Sequence, residues 1–408
     1  MKREGGQRLP GISRSFECPA PGIMNHLLDL VEPSRSVNLL AKVRKMQQTD
    51  PSLCNLTGGE PDFDTPKPVC DEVYRQILAG CTHYGDSKGD PVLREALAEK
   101  LSLENQAFYT KDQILVTPGG KYAVYVAIQA IVDPGDEVMW LAPGWVSYPA
   151  IVTLCGGTPV AVHLNRADGY RITKELLQAH ASEKTRALIL NYPNNPTGKL
   201  LSENDIRELR SFLLEHPDIY CISDEIYEKI IFDGRSAYSP ASDPELKDRV
   251  FTINGFSKSC AMTGWRIGYV ACPSSAYPDV LKIFQHSMSC TSGFIQKGAL
   301  VALTLQDEIE KMRAAYEKRR DLICDGLHDV PHIAFDRPEG SFYAWMRFDT
   351  AMTSEELCSA LVEQAGIGGI PGSAFGEEKD CMIRFCFAQN EETLQRFIDR
   401  LIHFTRTL

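Results

Sequence analysis

The stretch QILVTPGG at residues 113–120 sets the architecture, because an apolar, strand-like run ends there at a proline and two glycines. A strongly apolar segment follows at 122–132, and its length predicts a buried helix. The same alternation of strand and helix continues to about residue 272. Apolar strands separated by helices are typical of a largely parallel sheet that is covered on both faces.

Further apolar runs of strand length follow along this region, at 138–141, 159–162, 187–190, 219–223, 250–253 and 267–271. Between them, a helix is indicated around 146–154, because the glycines at 156–157 form a suitable C-terminal stop. A second helix is predicted from Ser202 to about Glu215, where SEND has the form of a capping box with aspartate in place of glutamate. The predicted fold class of this region is therefore α/β.

The last hundred residues change pattern and predict a second, smaller α+β domain. A long charged helix at 308–326 precedes strands at 342–346 and 382–385, and an amphipathic helix at 391–406 closes the chain. At the other end, residues 1–22 carry glycine, proline and charge without periodicity and predict an irregular arm.

The expected organisation has three parts. Residues 1–54 form an N-terminal arm and part of the small domain, 55–300 form the large domain, and 301–408 form the small C-terminal domain. A chain of 408 residues is long enough for two domains with their own cores.

Composition excludes several classes of function. A net charge of −11 argues against general nucleic-acid binding, which favours basic surfaces. The 13 cysteines form no CxxC pair and no cluster with zinc spacing, so we expect no metal site and a reducing, cytoplasmic location. Neither a signal peptide nor an apolar run of about 18 residues is found, so we expect no membrane partner.

Lys258 is the first candidate for catalysis. It lies in the largely uncharged segment FSKSCAM at 256–262, and Arg266 follows eight positions later. Burial disfavours a charged amine and lowers its pKa, so such a lysine can form a Schiff base. The guanidinium of Arg266 offers a fixed fork for an oxyanion such as a phosphate. A reactive lysine beside a phosphate-binding arginine is the combination that pyridoxal phosphate requires.

Six motifs together point to one family. They are LTGGEPDFDTP at 56–66, PGGK at 118–121, PNNPTG at 193–198, SDEIYE at 223–228, the segment 258–266, and Arg384. From about Val31 to the C-terminus the chain resembles the class I aminotransferases of pyridoxal-phosphate fold type I, and most of all the branch of bacterial aspartate and prephenate aminotransferases. The resemblance implies a mostly parallel seven-stranded sheet flanked by helices, and an enzyme that exchanges an amino group between an amino acid and a 2-oxo acid.

The resemblance gives roles to the residues that hold the cofactor ring. Lys258 forms the Schiff base and later moves the proton between substrate and cofactor. Asp224 keeps the pyridine nitrogen protonated, which makes the ring an electron sink. Asn195 and Tyr227 hydrogen-bond the phenolic oxygen, and Trp145 stacks on the ring, although a core tryptophan is the alternative.

The cofactor phosphate has its own implied site. Gly119, Gly120 and Lys121 lie between a strand and a helix, where free backbone N–H groups bind phosphate, and Arg266 pairs with the same group. As an isolated motif, the two glycines could be only a tight turn. Tyr84 matches a family tyrosine that reaches the phosphate of the neighbouring subunit, so the resemblance implies a homodimer with shared active sites.

The substrate site is implied by a second group of residues. Arg384 binds the α-carboxylate in a bidentate pair, with Asn195 and Gly59 nearby, and Phe342 lines the pocket or belongs to the core. Lys121 matches a lysine that reads a distal carboxylate, which favours aspartate or glutamate as the donor; a solvated lysine is the alternative.

Residues at the N-terminal end of the chain add to the same substrate site. Ser36 matches a nearby hydroxyl position, and Arg35 lies beside it. Both would lie close to the distal carboxylate if Lys121 reads that group.

Two positions depart from the family pattern. Gly255 stands where many relatives carry Ser or Thr to bind the phosphate, and Ser257 is a candidate to compensate. Gly144 stands where close relatives carry Tyr before the tryptophan, which would widen the pocket.

Two other functions remain open at the level of sequence. The lysine, aspartate and arginine set is common to lyases, cyclases and oxidases that use pyridoxal phosphate. A ligand-sensing regulator on the same fold would carry a DNA-binding domain, and the segment before residue 31 lacks a helix-turn-helix pattern.

Overall fold

The computed structural model describes residues 26–33 and 35–408, with the side chains of His26 and of residues 34–38, 40 and 42 excepted. The predicted arm at 1–22 therefore lies outside the described residues. So do the side chains of Arg35 and Ser36, whose expected place beside the substrate stays a prediction.

Within the described residues the chain forms thirteen strands. They are β1 (Cys54–Asn55), β2 (Ile114–Thr117), β3 (Glu137–Ala142), β4 (Thr158–His163), β5 (Thr185–Asn191), β6 (Tyr220–Asp224), β7 (Val250–Gly255), β8 (Gly268–Ala271), β9 (Ile333–Phe335), β10 (Tyr343–Phe348), β11 (Ile367–Gly368), β12 (Ile370–Pro371) and β13 (Met382–Cys386).

The same residues form twelve α-helices. They are α1 (Arg35–Thr49), α2 (Lys67–Leu78), α3 (Pro91–Asn105), α4 (Gly120–Ile131), α5 (Ser147–Leu154), α6 (Lys174–His180), α7 (Glu203–Glu215), α8 (Tyr277–Ser287), α9 (Gly293–Ala302), α10 (Gln306–Leu327), α11 (Ser354–Ala360) and α12 (Glu391–Thr405). The predicted capping box of α7 is present, because Ser202 and Asp205 bond each other's backbone N–H groups.

Seven strands form the central sheet in the order β2-β8-β7-β6-β5-β3-β4. Every neighbouring pair is parallel except the two that involve β8, which runs antiparallel to β2 and to β7. The prediction of a mostly parallel seven-stranded sheet is therefore confirmed. Because β2, β3, β5, β6 and β7 run in one direction, their carboxyl ends meet at one edge of the sheet, where ligands bind in such folds.

Both faces of the sheet are buried, as its apolar strands predict. In β5, Leu188 and Leu190 pack into one core cluster, whereas Ala187 and Ile189 pack into another. Successive side chains of a strand point to opposite faces, so this division places one core on each side of the sheet.

A second, antiparallel sheet has the strand order β12-β13-β10-β9. It agrees with the α+β pattern expected after residue 300. Strand β1 pairs with β11 in parallel, which joins the segment before residue 55 to the C-terminal region. This pairing is consistent with the expected three-part division, whose boundaries stay predictions.

The sequence patterns do not predict helices α2, α3, α6, α8, α9 and α11. Two of them, α2 and α9, pack on each other at short distance, since a Cβ at Gly298 would lie 2.5 Å from Val73 Cγ2. Their positions therefore depend on contacts between helices that are far apart in sequence. No helix of the described part of the chain is long and apolar enough to cross a membrane.

Candidate active site

A cavity of about 470 Å³ lies at the edge where the parallel strands end. Ten of the thirteen predicted site residues line it: Gly59, Gly120, Lys121, Trp145, Asn195, Asp224, Tyr227, Lys258, Arg266 and Arg384. The fold thus brings together residues that lie more than 300 positions apart in sequence. Gly119, Tyr84 and Phe342 are the predicted site residues that are absent from the lining of this cavity.

Lys258 follows the end of β7 and presents its amine to the cavity. Burial lowers the pKa of this amine to about 8, assisted by the charges of Arg384 and Arg266 and opposed by those of Cys386 and Glu60. Its Nζ donates a hydrogen bond to the carbonyl oxygen of Gly59. The amine is therefore partly neutral near neutral pH, which a nucleophile and proton carrier requires.

Asp224 is the last residue of β6 and is buried at the cavity floor. Burial raises the pKa of its carboxyl to about 6, against the stabilising effects of hydrogen bonds from Tyr148 and Ile226 and of the Lys258 charge. The charged form of a buried carboxylate with few hydrogen-bond partners is strongly stabilised by a cationic group placed beside it. The ring nitrogen of a pyridinium is such a group.

Tyr148 is a site residue that the sequence patterns miss. It lies in the first turn of α5, and its hydroxyl donates to Asp224 Oδ2 at 2.7 Å. Its ring packs edge-on against Trp145, with the ring centroids 5.2 Å apart. The available signal is its position three residues after Trp145, which lies just before the start of the helix that contains Tyr148.

Tyr227 and Tyr343 form a hydroxyl pair at the cavity wall, with their oxygens 2.8 Å apart. Phe342, which the resemblance offered as a pocket residue, is fully buried and packs edge-on against Tyr227 at 5.6 Å instead. Neighbouring side chains in extended backbone face opposite ways, so Tyr343 reaches the cavity and Phe342 the core. The alternative reading of Phe342 as a core residue is the one that fits.

Arg384 is buried in β13, and its partners leave room for one further acceptor. Nη1 donates to Asn195 Oδ1 at 3.0 Å, and Nη2 donates to the carbonyl oxygens of Thr57 and Gly58 at 3.0 and 3.2 Å. Its Nε is buried and has no hydrogen-bond partner among the described residues. Since the guanidinium has no carboxylate partner there, a substrate carboxylate would satisfy its charge.

The predicted phosphate cradle is assembled from a glycine turn, a helix start and Arg266. Gly119 has φ +91°, which favours glycine, and a Cβ there would lie 2.5 Å from Arg266 Nη2. Helix α4 starts at Gly120, directly beside this guanidinium. Backbone N–H groups at a helix start together with a fixed arginine form a binding site for a phosphate.

Lys121 also lines the cavity, and its Nζ lies 4.9 Å from the centre of the Trp145 ring. Burial, together with the nearby charge of Arg266, lowers the pKa of this amine. Lys121 is also exposed to solvent, so the structure agrees both with a solvated lysine and with a lysine that faces the cavity. Tyr84, in contrast, is 91% exposed in the single chain and does not reach this chain's own cavity.

The two departures from the family pattern have backbone causes. At Gly255 a Cβ would lie 2.9 Å from Gly268 Cα, so this part of β7 has no space for Ser or Thr; Ser257 lines the cavity instead. At Gly144 a Cβ would lie 2.3 Å from the carbonyl oxygen of Leu141. Gly144 is not part of the cavity lining that the structure describes, so the expectation that it widens the pocket is not supported.

These residues fit pyridoxal phosphate on structural grounds. The cavity offers a lysine amine of lowered pKa, a buried carboxylate for a ring nitrogen, two hydroxyls and a phosphate cradle. Among the described residues the buried Nε of Arg384 has no hydrogen-bond acceptor, and a substrate carboxylate would supply one. In the described residues, no group of His, Cys, Asp and Glu side chains could hold a metal ion.

Comparisons with known proteins agree with this geometry. The family profile "Aminotransferase class I and II" matches residues 51–401. An aspartate aminotransferase of Musicola paradisiaca is 39% identical over 90% of this chain and 93% of its own length, and a probable aspartate/prephenate aminotransferase of Aquifex aeolicus is 37% identical over 91% and 95%.

A crystal structure of Thermus thermophilus aspartate aminotransferase with maleate superposes with a TM-score of 0.88 at 36% identity, covering 94% of this chain and 99% of that one. The resemblance stated from the motifs is thereby confirmed. The chain belongs to the class I and II aminotransferases, a family of enzymes that depend on pyridoxal phosphate.

Proposed function

We propose that this aminotransferase takes an acidic amino acid, aspartate or glutamate, as its donor and a 2-oxo acid as its acceptor, with pyridoxal phosphate held in the cavity described above. The observation that carries the proposal is the pairing of Arg384 and Lys121 on the walls of the cavity that contains Lys258. Two cationic sites beside one reactive amine match the two carboxylates of a dicarboxylic amino acid. The named relatives that act on aspartate support the same donor.

Lys258 and Asp224 have complementary roles in this proposal. Bound pyridoxal phosphate supplies an electron sink and carries the amino group between the two half-reactions. Lys258 would hold the cofactor through its amine, and its free amine would take a proton from the substrate α-carbon. Asp224 stays ionised by pairing with the ring nitrogen, and the hydroxyl of Tyr148 keeps its carboxylate oriented.

The other side chains of the cavity bind and orient the cofactor and the substrate. Tyr227 and Asn195 would donate hydrogen bonds to the phenolic oxygen of the cofactor, and Trp145 would pack against its ring. Gly119, Gly120 and Arg266 hold the phosphate. Arg384 fixes the α-carboxylate, and Lys121 donates to the distal one; because both ends are held, the α-hydrogen is oriented for Lys258.

We also propose a homodimer in which Tyr84 completes the phosphate site of the partner subunit. The exposure of Tyr84, which is 91% in the single chain, supports this because it leaves the side chain free to reach a partner subunit. A cytoplasmic location and the three-part domain division at 54/55 and 300/301 are part of the same proposal.

The test is the visible absorbance of the purified holoprotein, recorded before and after L-aspartate or L-glutamate and again after a 2-oxo acid. We expect the cofactor band to disappear with the donor and to return with the 2-oxo acid, and expect neither change in Lys258→Ala. If the band ignores both acidic donors but responds to another amino acid, the acidic donor is wrong. If the amino acid is converted to a product but the 2-oxo acid has no effect on the cofactor band, a lyase, cyclase or oxidase reaction is indicated.

A further inference from the structure

Arg44 and Glu60 form an ion pair on the wall of the active-site cavity that none of the roles above uses. Arg44 comes from helix α1, and its Nη2 lies 2.5 Å from Glu60 Oε1. Both side chains line the cavity, and both are partly exposed, at 57% and 44%. The pair therefore borders the space in which the substrate is proposed to bind.

Among the charged side chains that line the cavity, Arg44 has no role in the proposed reaction. Five cationic side chains and two carboxylates line the cavity: Arg44, Lys121, Lys258, Arg266, Arg384, Glu60 and Asp224. The phosphate, the α-carboxylate and the cofactor linkage use three of the cations, and the ring nitrogen uses Asp224. Lys121 is proposed above to bind the distal carboxylate, so Arg44 and Glu60 are the charged residues of the lining that remain without a role.

The hydrogen bonds of the pair allow one partner to be exchanged. Arg44 has one hydrogen-bonding contact among the described residues, through a single nitrogen to Glu60. Glu60 has a second partner, because Thr263 Oγ1 donates to its Oε2 at 3.1 Å. When Arg44 turns to another carboxylate, Glu60 keeps a hydrogen bond and remains partly solvated, so the exchange leaves no buried charge unpaired.

We propose that Arg44 is a specificity-determining residue that joins Lys121 in binding the distal carboxylate of a dicarboxylic substrate, and that it gives up its bond to Glu60 to do so. Glu60 acts in the opposite sense: it competes for Arg44 and repels a second carboxylate at the cavity wall. The pair thus sets how strongly acidic substrates are preferred over substrates with one carboxylate. This inference rests on the proposed aminotransferase function with an acidic donor.

The experiment compares Arg44→Met and Glu60→Gln with wild-type holoenzyme. For each, kcat/KM is measured for L-aspartate and for L-alanine, and the ratio of the two is taken so that general effects on Lys258 cancel. We expect the ratio to fall about tenfold in Arg44→Met, as for the loss of a partly exposed charge-assisted hydrogen bond. In Glu60→Gln it rises severalfold.

A second readout does not depend on the chemistry. The inhibition constant of succinate, divided by that of propionate, should rise about tenfold in Arg44→Met and fall in Glu60→Gln. The matched control is Arg235→Met, whose ion pair with Glu339 is similarly exposed, at 51% and 22%, and lies outside the cavity lining. Both ratios should keep their wild-type values in this control.

The outcomes distinguish a failure of the proposed acidic donor from a failure of the proposed role of Arg44. If wild-type enzyme does not react with aspartate or glutamate, the proposed donor fails whatever the variants do. If wild-type enzyme reacts with them and both ratios are unchanged in Arg44→Met, or change equally in Arg235→Met, the role of Arg44 is overturned while the proposed function stands.

Discussion

Tyr148 supplies the shortest hydrogen bond to Asp224, and its removal isolates the contribution of that bond. In Tyr148→Phe the carboxylate loses a donor worth about 1.5–3 kcal/mol, so the pKa of Asp224 rises above its value of about 6 by roughly one unit or more. The ligand-free protein needs ionised Asp224 to bind the cofactor ring. The fall of cofactor affinity on acidification should therefore begin at a higher pH, by roughly the same amount.

The measurement is the dissociation constant of pyridoxal phosphate between about pH 5 and pH 8. Tyr122→Phe is the control, because the Tyr122 hydroxyl bonds Ser287 on the surface and not a site residue. A profile for Tyr148→Phe that superposes on that of wild type would remove Tyr148 from the positioning of Asp224.

Burial of the Asp224 carboxylate also lowers the stability of the ligand-free protein. Its pKa is about 6 in the folded chain and 3.8 as the ordinary value, so the folded chain binds more protons between those two values. Stability from this group is complete below pH 3.8 and is lost as pH rises towards 6. Asp224→Asn should therefore stabilise the ligand-free protein at pH 7 by about 1–3 kcal/mol while it abolishes efficient turnover.

Urea unfolding of the ligand-free variants at pH 7 and at pH 4 measures this effect. The gain should be large at pH 7 and nearly absent at pH 4, where wild-type Asp224 is protonated in the folded state. Asp329→Asn, at a side chain that is 93% exposed, should show no gain at either pH. An equal or lower stability of Asp224→Asn at pH 7 would contradict the cost assigned to this carboxylate.

Residues within one motif are predictable from sequence, whereas residues that meet across the fold are not. Lys258, Asp224 and Arg384 each lie in a short pattern that signals its chemistry. Tyr148 and Tyr343 carry no such signal, because their partners Asp224 and Tyr227 are 76 and 116 positions away. The ion pair of Arg44 with Glu60 escapes sequence reasoning for the same reason.

Helix α3 is joined to the segment after β6 by a buried ion pair between Lys100 and Glu228. Each side chain is only 10% exposed, and Asn105 also donates to Glu228, at 2.6 Å. Removing the lysine leaves a buried carboxylate without its cation, so Lys100→Met should cost about 3–5 kcal/mol of unfolding free energy. This segment also carries Tyr227, so cofactor affinity should fall too.

The comparison for this element is Lys67→Met in α2, whose partner Asp71 is exposed like the lysine itself. An exposed helical pair is worth less than about 1 kcal/mol. Urea denaturation of both variants at one pH gives the difference directly. Equal losses in the two variants would show that the buried pair does not hold α3 in place.

A helix or strand is predictable from sequence when its own apolar residues mark it, and less so when it is defined by contacts with distant parts of the chain. The strands of the central sheet match the apolar runs within a few residues, because β2, β7 and β8 are buried along their whole length. Strand β9 has only half-buried residues and is defined by its pairing with β10, so its own sequence does not reveal it. Helices α2 and α9 depend in the same way on their mutual contact at Gly298.

At the scale of the whole molecule, the proposed dimer makes a prediction that single-site kinetics cannot make. Lys258→Ala removes the amine of its own subunit, and Tyr84→Ala removes a group that is proposed to act in the partner's site. Mixed dimers of the two variants should therefore regain activity, up to about half that of wild type, because one of the two sites has both groups intact. Each variant alone should be strongly impaired.

Subunit exchange under mild denaturant, followed by separation of the mixed dimer through a tag on one variant, provides the sample. The mass of the purified protein in solution is measured first. A monomer would overturn the dimer, and a mixed dimer no more active than Tyr84→Ala alone would place Tyr84 outside the partner's site. The dimer is predicted from the family resemblance alone, since nothing in one chain specifies which exposed surfaces meet.

The lowered pKa of Lys258 also makes its amine more reactive towards electrophiles than an ordinary lysine amine. At pH 7 an amine with a pKa of about 8 is roughly 10% uncharged, whereas an ordinary lysine amine is about 0.03% uncharged. Mild aldehydes and acylating agents should consequently modify this position before the other lysines of the ligand-free protein. A small aldehyde carrying an acidic substituent would exploit the surrounding arginines as well, and could serve as a selective covalent label for following how cells load newly made enzyme with its cofactor.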